Sequence, residues 1–208
     1  MKTAVALALA TFAFAAPASA DTAVFAGGCF WCVEKDFDHI KGVTKTTSGF
    51  AGGTAGNPSY RDHEGYTESV KVEFDSAIIS YESLVTRFLR TIDVTDGGGQ
   101  FCDRGDSYVP AIFVMDEVQS AGANRAVAEA EKSLGKKLAV PVRKHTRFGM
   151  AEAYHQDYYL GENRVLTRFG YIKQSEAYAN YRKACGRDAR VKQVWGKQAY
   201  TDGKGGES

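Results

Sequence analysis

The chain has 208 residues, 44% of them hydrophobic and 25% charged, with 26 basic against 25 acidic side chains and a formal net charge of +1. Such a balance carries no electrostatic footprint of a nucleic-acid or anionic-membrane partner, and the length suits one domain with a real core. No apolar run reaches the roughly 20 residues that a bilayer core demands, so no membrane insertion is expected.

The first twenty residues, MKTAVALALATFAFAAPASA, combine a lone Lys2, an apolar run from Ala4 to Ala16 and the small-residue site Ala18-Ser19-Ala20 ahead of Asp21. This pattern predicts a signal peptide over residues 1–20, cleaved after Ala20, and hence export, with a bacterial periplasm as the expected location. Residues 21–208 are then a single catalytic domain, expected to be monomeric, with a disordered tail over 202–208.

Thr22 to Ala26 is a short apolar run closed by Gly27-Gly28, and from Cys29 to Ile40 apolar residues fall at Phe30, Val33, Phe37 and Ile40. The reading is strand, tight turn, helix. Val43 to Phe50 is a β-branched strand that ends in a glycine-rich loop, and Glu68 to Phe74 alternates with period two as a half-buried strand. Ser80 caps a helix that runs through Tyr81, Leu84, Phe88, Leu89 and Ile92. A further strand covers 110–114, and a helix covers Glu117 to Leu134, stopped by Gly135. Leu138 to Arg143 could add an edge strand, and 154–159 and 175–185 read as short helical pieces. The order β-α-β-β-α-β predicts the α+β class: a two-layer α/β sandwich with a ferredoxin-like core, a mixed sheet, helices on one face and a loosely structured C-terminal extension.

Four cysteines, Cys29, Cys32, Cys102 and Cys185, allow three complete pairings, and two structural disulfides are the default for an exported chain. Cys29 argues against that default. At a helix N-terminus a thiol meets the positive end of the macrodipole and free backbone N–H groups, both of which favour thiolate, so Cys29 is expected to be a nucleophile at neutral pH. Zinc is not expected, since Cys29-x-x-Cys32 has no second ligand pair. Disulfide exchange through Cys29 and Cys32 and reduction of an oxidised sulfur substrate both remain open.

Gly28-Cys29-Phe30-Trp31, Gly49-Phe50-Ala51-Gly52-Gly53, Asn57-Pro58-Ser59-Tyr60, the stretch from His63 to Val70, Asp103 to Tyr108, and His155-Gln156-Asp157-Tyr158-Tyr159 occur in that order. In this the sequence resembles the class A peptide methionine sulfoxide reductases over nearly all of residues 21–208. The resemblance implies reduction of methionine S-sulfoxide, free or in proteins, with no cofactor beyond an external thiol reductant such as thioredoxin. It implies that Cys29 attacks the sulfoxide sulfur, that Glu68 gives a proton to the departing oxygen, and that Tyr60 and Tyr108 hydrogen-bond that oxygen. Phe30 and Trp31 then wall a pocket for the methyl group. An acid that donates near neutral pH has to be shielded from water, so Glu68 is expected to be partly buried against apolar groups.

Attack leaves Cys29 as a sulfenic acid, which condenses with a nearby thiol. The resemblance points to Cys185 as that thiol, with Cys32 as competitor and Cys102 beside Asp103. Asp103 is expected to position the resolving thiol or Tyr108. Many family members carry no cysteine at the position of Cys32, and Ala184 stands where some carry a tyrosine before the resolving thiol. Two rivals are a thioredoxin-like disulfide oxidoreductase using Cys29 and Cys32, and a non-catalytic secreted binding domain stapled by two disulfides.

Overall fold

The structure, a computed structural model, describes residues 21–54 and 56–201, so the expected signal peptide and the expected disordered tail both lie outside the described residues. In chain order the elements are β1 (Asp21–Ala26), α1 (Phe30–Asp38), β2 (Val43–Ala51), β3 (Thr67–Phe74), α2 (Tyr81–Leu89), β4 (Gly99–Gln100), β5 (Asp103–Arg104) and β6 (Ala111–Val114). There follow α3 (Glu117–Leu134), β7 (Val142–Lys144), β8 (Phe148–Met150), β9 (Arg164–Thr167), β10 (Gly170–Lys173), α4 (Gln174–Ala184) and α5 (Arg187–Trp195).

The main sheet has the order β7-β6-β1-β3-β2-β8. Its four central strands pair antiparallel in the split arrangement expected of a ferredoxin-like core, with Phe25 opposite both Val70 and Ile112. Parallel pairing of β7 with β6 makes the sheet mixed. At the far edge β8 pairs antiparallel with β2, and Gly49 is what allows it: a Cβ there would lie 2.3 Å from the Gly149 carbonyl oxygen.

Alternation along the strands sorts the two faces. Ala23, Phe25, Val70, Val72, Phe74 and Ile112 point to the helices, whereas Val24, Ala26, Ala111 and Phe113 form a smaller cluster on the opposite face. Phe25 lies between the rings of Phe37 from α1 and Phe88 from α2, with centroids 5.1 and 4.8 Å away. A buried phenyl of this kind contributes about 1.5–3 kcal/mol. α2 begins as its sequence predicts, the Ser80 hydroxyl accepting from the Ser83 N–H, and α3 ends on Gly135 in the left-handed region.

The C-terminal third is more ordered than its sequence suggests. β9 and β10 form a hairpin, α4 and α5 follow with a turn at Cys185-Gly186 between them, and α5 drives Val191 and Trp195 into the main core. The Trp195 indole N–H donates to the carbonyl of Ile92 at 3.3 Å, so this segment is fastened to the end of α2 rather than loose.

Candidate active site

β1 delivers the chain to the site through Gly27-Gly28. Gly28 has φ +80°, a left-handed conformation that favours glycine, and a Cβ there would meet the Gln100 side chain at 2.6 Å. This tight turn sets Cys29 at the N-cap of α1, as expected. Cys32 sits one turn along the helix, its N–H donating to the Cys29 carbonyl at 3.0 Å.

Glu68 owes its place to the phase of β3. It shares the inward face with Val70, Val72 and Phe74, so the strand turns a carboxyl toward the helices below the mouth of α1. Glu68 is 3% exposed, and its Oε2 accepts the Phe30 N–H at 3.0 Å. Burial raises its pKa to about 8 against the pull of that hydrogen bond, and the nearby Asp103 adds to the rise. At neutral pH the group is an acid with a proton to give, as its assigned role requires.

Cys29, Phe30, Trp31, Tyr60, Glu68, Asp103, Tyr108 and Tyr181 together line a cavity of about 100 Å³. The space is that of a compact group such as a methyl sulfoxide rather than a large ligand. Seven of the eight residues predicted to build the site therefore converge. Phe30 is fully buried, and Trp31 stacks on Tyr158 with centroids 3.8 Å apart. Tyr60 arrives on the loop after β2 and Tyr108 on a 3-10 turn before β6. Burial raises the pKa of both phenols, so both stay protonated donors.

Several residues that complete the site receive no role from the sequence. His63 ties the two tyrosine loops together: its Nδ1 donates to the Ser59 carbonyl at 3.0 Å, and its Nε2 shares a hydrogen bond with the Ser107 hydroxyl at 2.9 Å. His155, buried and held neutral by that burial, stacks on Tyr60 at 4.3 Å and on Trp31 at 5.7 Å. Tyr181 donates its hydroxyl proton to Asp103. Asp103 thus holds Tyr181.

One expectation about the sulfurs needs correction. Cys29 is not the resting thiolate. Burial, a hydrogen bond to Cys32 and the carboxyls of Glu68 and Asp103 hold its pKa well above the usual thiol value. A helix terminus contributes about 0.3–1 kcal/mol, whereas full burial can move a pKa by roughly 3–5 units, and here burial wins. Cys32 is drawn the other way: burial pushes it up, but the hydrogen bond from Cys29 and the guanidiniums of Arg187 and Arg182 bring it down to about 7. Cys185, expected to resolve the Cys29 sulfenic acid, is bonded to Cys102, and among the described residues Cys29 and Cys32 are the free thiols. α4 ends at Ala184, which sets Cys185 at the helix C-cap facing the β4–β5 turn.

A second buried acid offers a test of these electrostatics. Glu34 on α1 accepts the Asp157 N–H at 3.1 Å, and burial raises its pKa from 4.5 to about 8. Between those two values the folded chain holds a proton that the unfolded chain has released, so wild type loses stability as pH rises through that window. Glu34→Gln carries no such penalty. Its melting temperature relative to wild type is therefore expected to climb from pH 5 to pH 9; calorimetry showing a flat or falling difference would contradict a buried neutral Glu34.

Among the described residues no group of three or more His, Cys, Asp or Glu side chains is arranged to hold a metal ion, and no helix is long and apolar enough to cross a membrane. A buried thiol, a protonated carboxyl and two phenols around a small apolar-walled cavity define a cysteine-dependent oxidoreductase for a compact polar sulfur group. The chain belongs to the peptide methionine sulfoxide reductase family, whose pattern it matches over residues 21–199. It is 45% identical over 180 residues to peptide methionine sulfoxide reductase MsrA 2 of Rhizobium meliloti, covering 86% of this chain and 85% of that one. Peptide methionine sulfoxide reductase MsrA 2 of Caulobacter vibrioides is 44% identical over 200 residues, 92% of this chain and 95% of that one. The solved structure of methionine sulfoxide reductase A of Corynebacterium diphtheriae superposes with a TM-score of 0.65 at 26% identity, over 76% of this chain and 85% of that one.

Proposed function

We propose that the protein reduces methionine S-sulfoxide, free or in proteins, to methionine by nucleophilic attack of Cys29, with the oxidising equivalents leaving as an intramolecular disulfide. The observation that carries this reading is the meeting of Cys29 with a protonated Glu68 and two phenols around one cavity. With the sulfoxide methyl against Phe30 and Trp31, its oxygen faces Glu68, Tyr60 and Tyr108. As the Cys29 sulfur bonds to the substrate sulfur, the Glu68 proton passes to the oxygen, and the thiol proton has an acceptor in Cys32. The net change is one thiol and one sulfoxide to one sulfenic acid and one sulfide, so atoms balance.

A cavity with apolar walls on one side and donors on the other accepts one sulfoxide hand. With separated epimers and a dithiol reductant, consumption of the S epimer alone is expected. Equal consumption of both would contradict the pocket assignment, and insulin reduction without sulfoxide turnover would favour a thioredoxin-like exchange enzyme instead. A thioredoxin-like dithiol is the proposed external reductant, and the first twenty residues support export to the periplasm, where such a dithiol would need its own supply of electrons.

A further inference from the structure

In the proposed reaction the phenols of Tyr60 and Tyr108 face the sulfoxide oxygen, yet neither stands on a strand or a long helix. Tyr60 lies at 42% exposure in the irregular connection over 52–66, and Tyr108 closes a 3-10 turn. Such thin packing leaves a side chain free to move. Two donors serve one oxygen only when each is held within about 0.5 Å of its place, so hydrogen bonds have to supply the precision that packing does not.

His63 supplies it. Its Nδ1 donates to the Ser59 carbonyl at 3.0 Å and its Nε2 hydrogen-bonds the Ser107 hydroxyl at 2.9 Å, and these two serines are the residues immediately before the two tyrosines. The Ser59 carbonyl belongs to the planar peptide unit that continues into Tyr60, whose N–H on the same unit donates to the Glu152 carboxylate at 3.2 and 3.3 Å. Both polar ends of that plane are gripped, and the Cα that bears the phenol is fixed with them. On the other side the Tyr108 N–H donates to the Gly105 carbonyl at 2.9 Å and the Thr67 hydroxyl donates to the Asp106 carbonyl at 3.3 Å. The turn that receives His63 is therefore firm.

The same ring is referred to the acid. It stacks on Phe50 with centroids 4.6 Å apart, and Phe50 stands directly across from Glu68 in the β2–β3 ladder. One half-buried imidazole thus relates both phenols to each other and to the strand that carries the proton donor. It does not line the cavity, so it acts through the residues it holds.

We propose that His63 is a positioning residue for sulfoxide reduction, a spacer that keeps the hydroxyls of Tyr60 and Tyr108 on one oxygen. This rests on the sulfoxide-reductase reading. Without the imidazole each loop keeps its own bonds but the bridge from Ser59 to Ser107 is gone, and the two donors no longer converge as charge builds on the departing oxygen.

The test is the single-turnover rate of methionine formation from the S epimer, with reduced protein in excess, in wild type and in the Tyr60→Phe, Tyr108→Phe double variant, each with and without His63→Ala. In the wild-type background His63→Ala is expected to slow the reaction about 10- to 100-fold, the cost of donors misplaced by about 1 Å. In the double variant, which has no hydroxyls left to place, the same substitution is expected to change the rate by no more than about 2-fold. A residue that merely supported the fold would cost the same factor in both backgrounds, and that result would overturn the proposal. Ser107→Ala removes one arm of the bridge with little change in packing, so it is expected to keep a native circular dichroism spectrum and to show a smaller loss with the same dependence on background. Native rates in both His63→Ala and Ser107→Ala, or a native rate in the double tyrosine variant, would also overturn it. No methionine from wild type would instead overturn the sulfoxide-reductase reading itself.

Discussion

Cys29→Ser is expected to lose all catalysed sulfoxide reduction while keeping its fold. The reaction needs an atom that can bond to the substrate sulfur and then carry away its oxygen, and a serine hydroxyl can do neither at neutral pH. Because Cys29 is buried and near in size to serine, the structural cost is confined to its hydrogen bond with Cys32, about 0.5–1.5 kcal/mol. Circular dichroism should therefore be native while turnover of either epimer, with any dithiol, is absent. Residual turnover above the rate of the dithiol alone would mean that another group attacks the sulfoxide.

Glu68→Gln has the next largest expected effect, a fall of about 10²–10⁴ in kcat/KM, the usual worth of a positioned acid. The amide fills the same volume and can still accept the Phe30 N–H, so the helix start is kept. What it lacks is a transferable proton. Substrate binding should change little, because Tyr60 and Tyr108 still meet the oxygen, and the loss should appear in kcat. A variant with native kcat would show that the oxygen takes its proton from elsewhere.

Much of this arrangement is legible in the sequence because it is written in local pattern. The glycine turn before Cys29 marks a strand-to-helix switch, and the period-two alternation of Glu68 with Val70, Val72 and Phe74 already turns a carboxyl toward the core. The caps Ser80 and Gly135 set helix ends where the structure has them. The missed features depend on distance. Tyr181 meets Asp103 across 78 residues, and the Arg182, Arg187 and Asp36 network joins α1 to the two last helices. Neither leaves a mark in spacing.

The charge on Cys29 escapes the sequence for a related reason. Helix position can be read from sequence, but the depth of burial that outweighs it cannot. Cysteine pairing stayed open because four thiols fit three patterns, and only the packing of α4 against the β4–β5 turn selects Cys102 with Cys185. One element could have been found: Val191, Val194 and Trp195 after Gly186 follow helical spacing, and α5 is built on them.

A thiol and a buried neutral acid acting on opposite atoms of one sulfoxide bond is the centre of this account. The pH dependence of single-turnover methionine formation from the S epimer, in wild type and Glu68→Gln, tests it most directly. With the Glu68 pKa at about 8, the wild-type rate should fall as pH rises past that value, and the fall should vanish in the variant's slower profile. The same falling limb in both proteins, or equal rates at neutral pH, would contradict it.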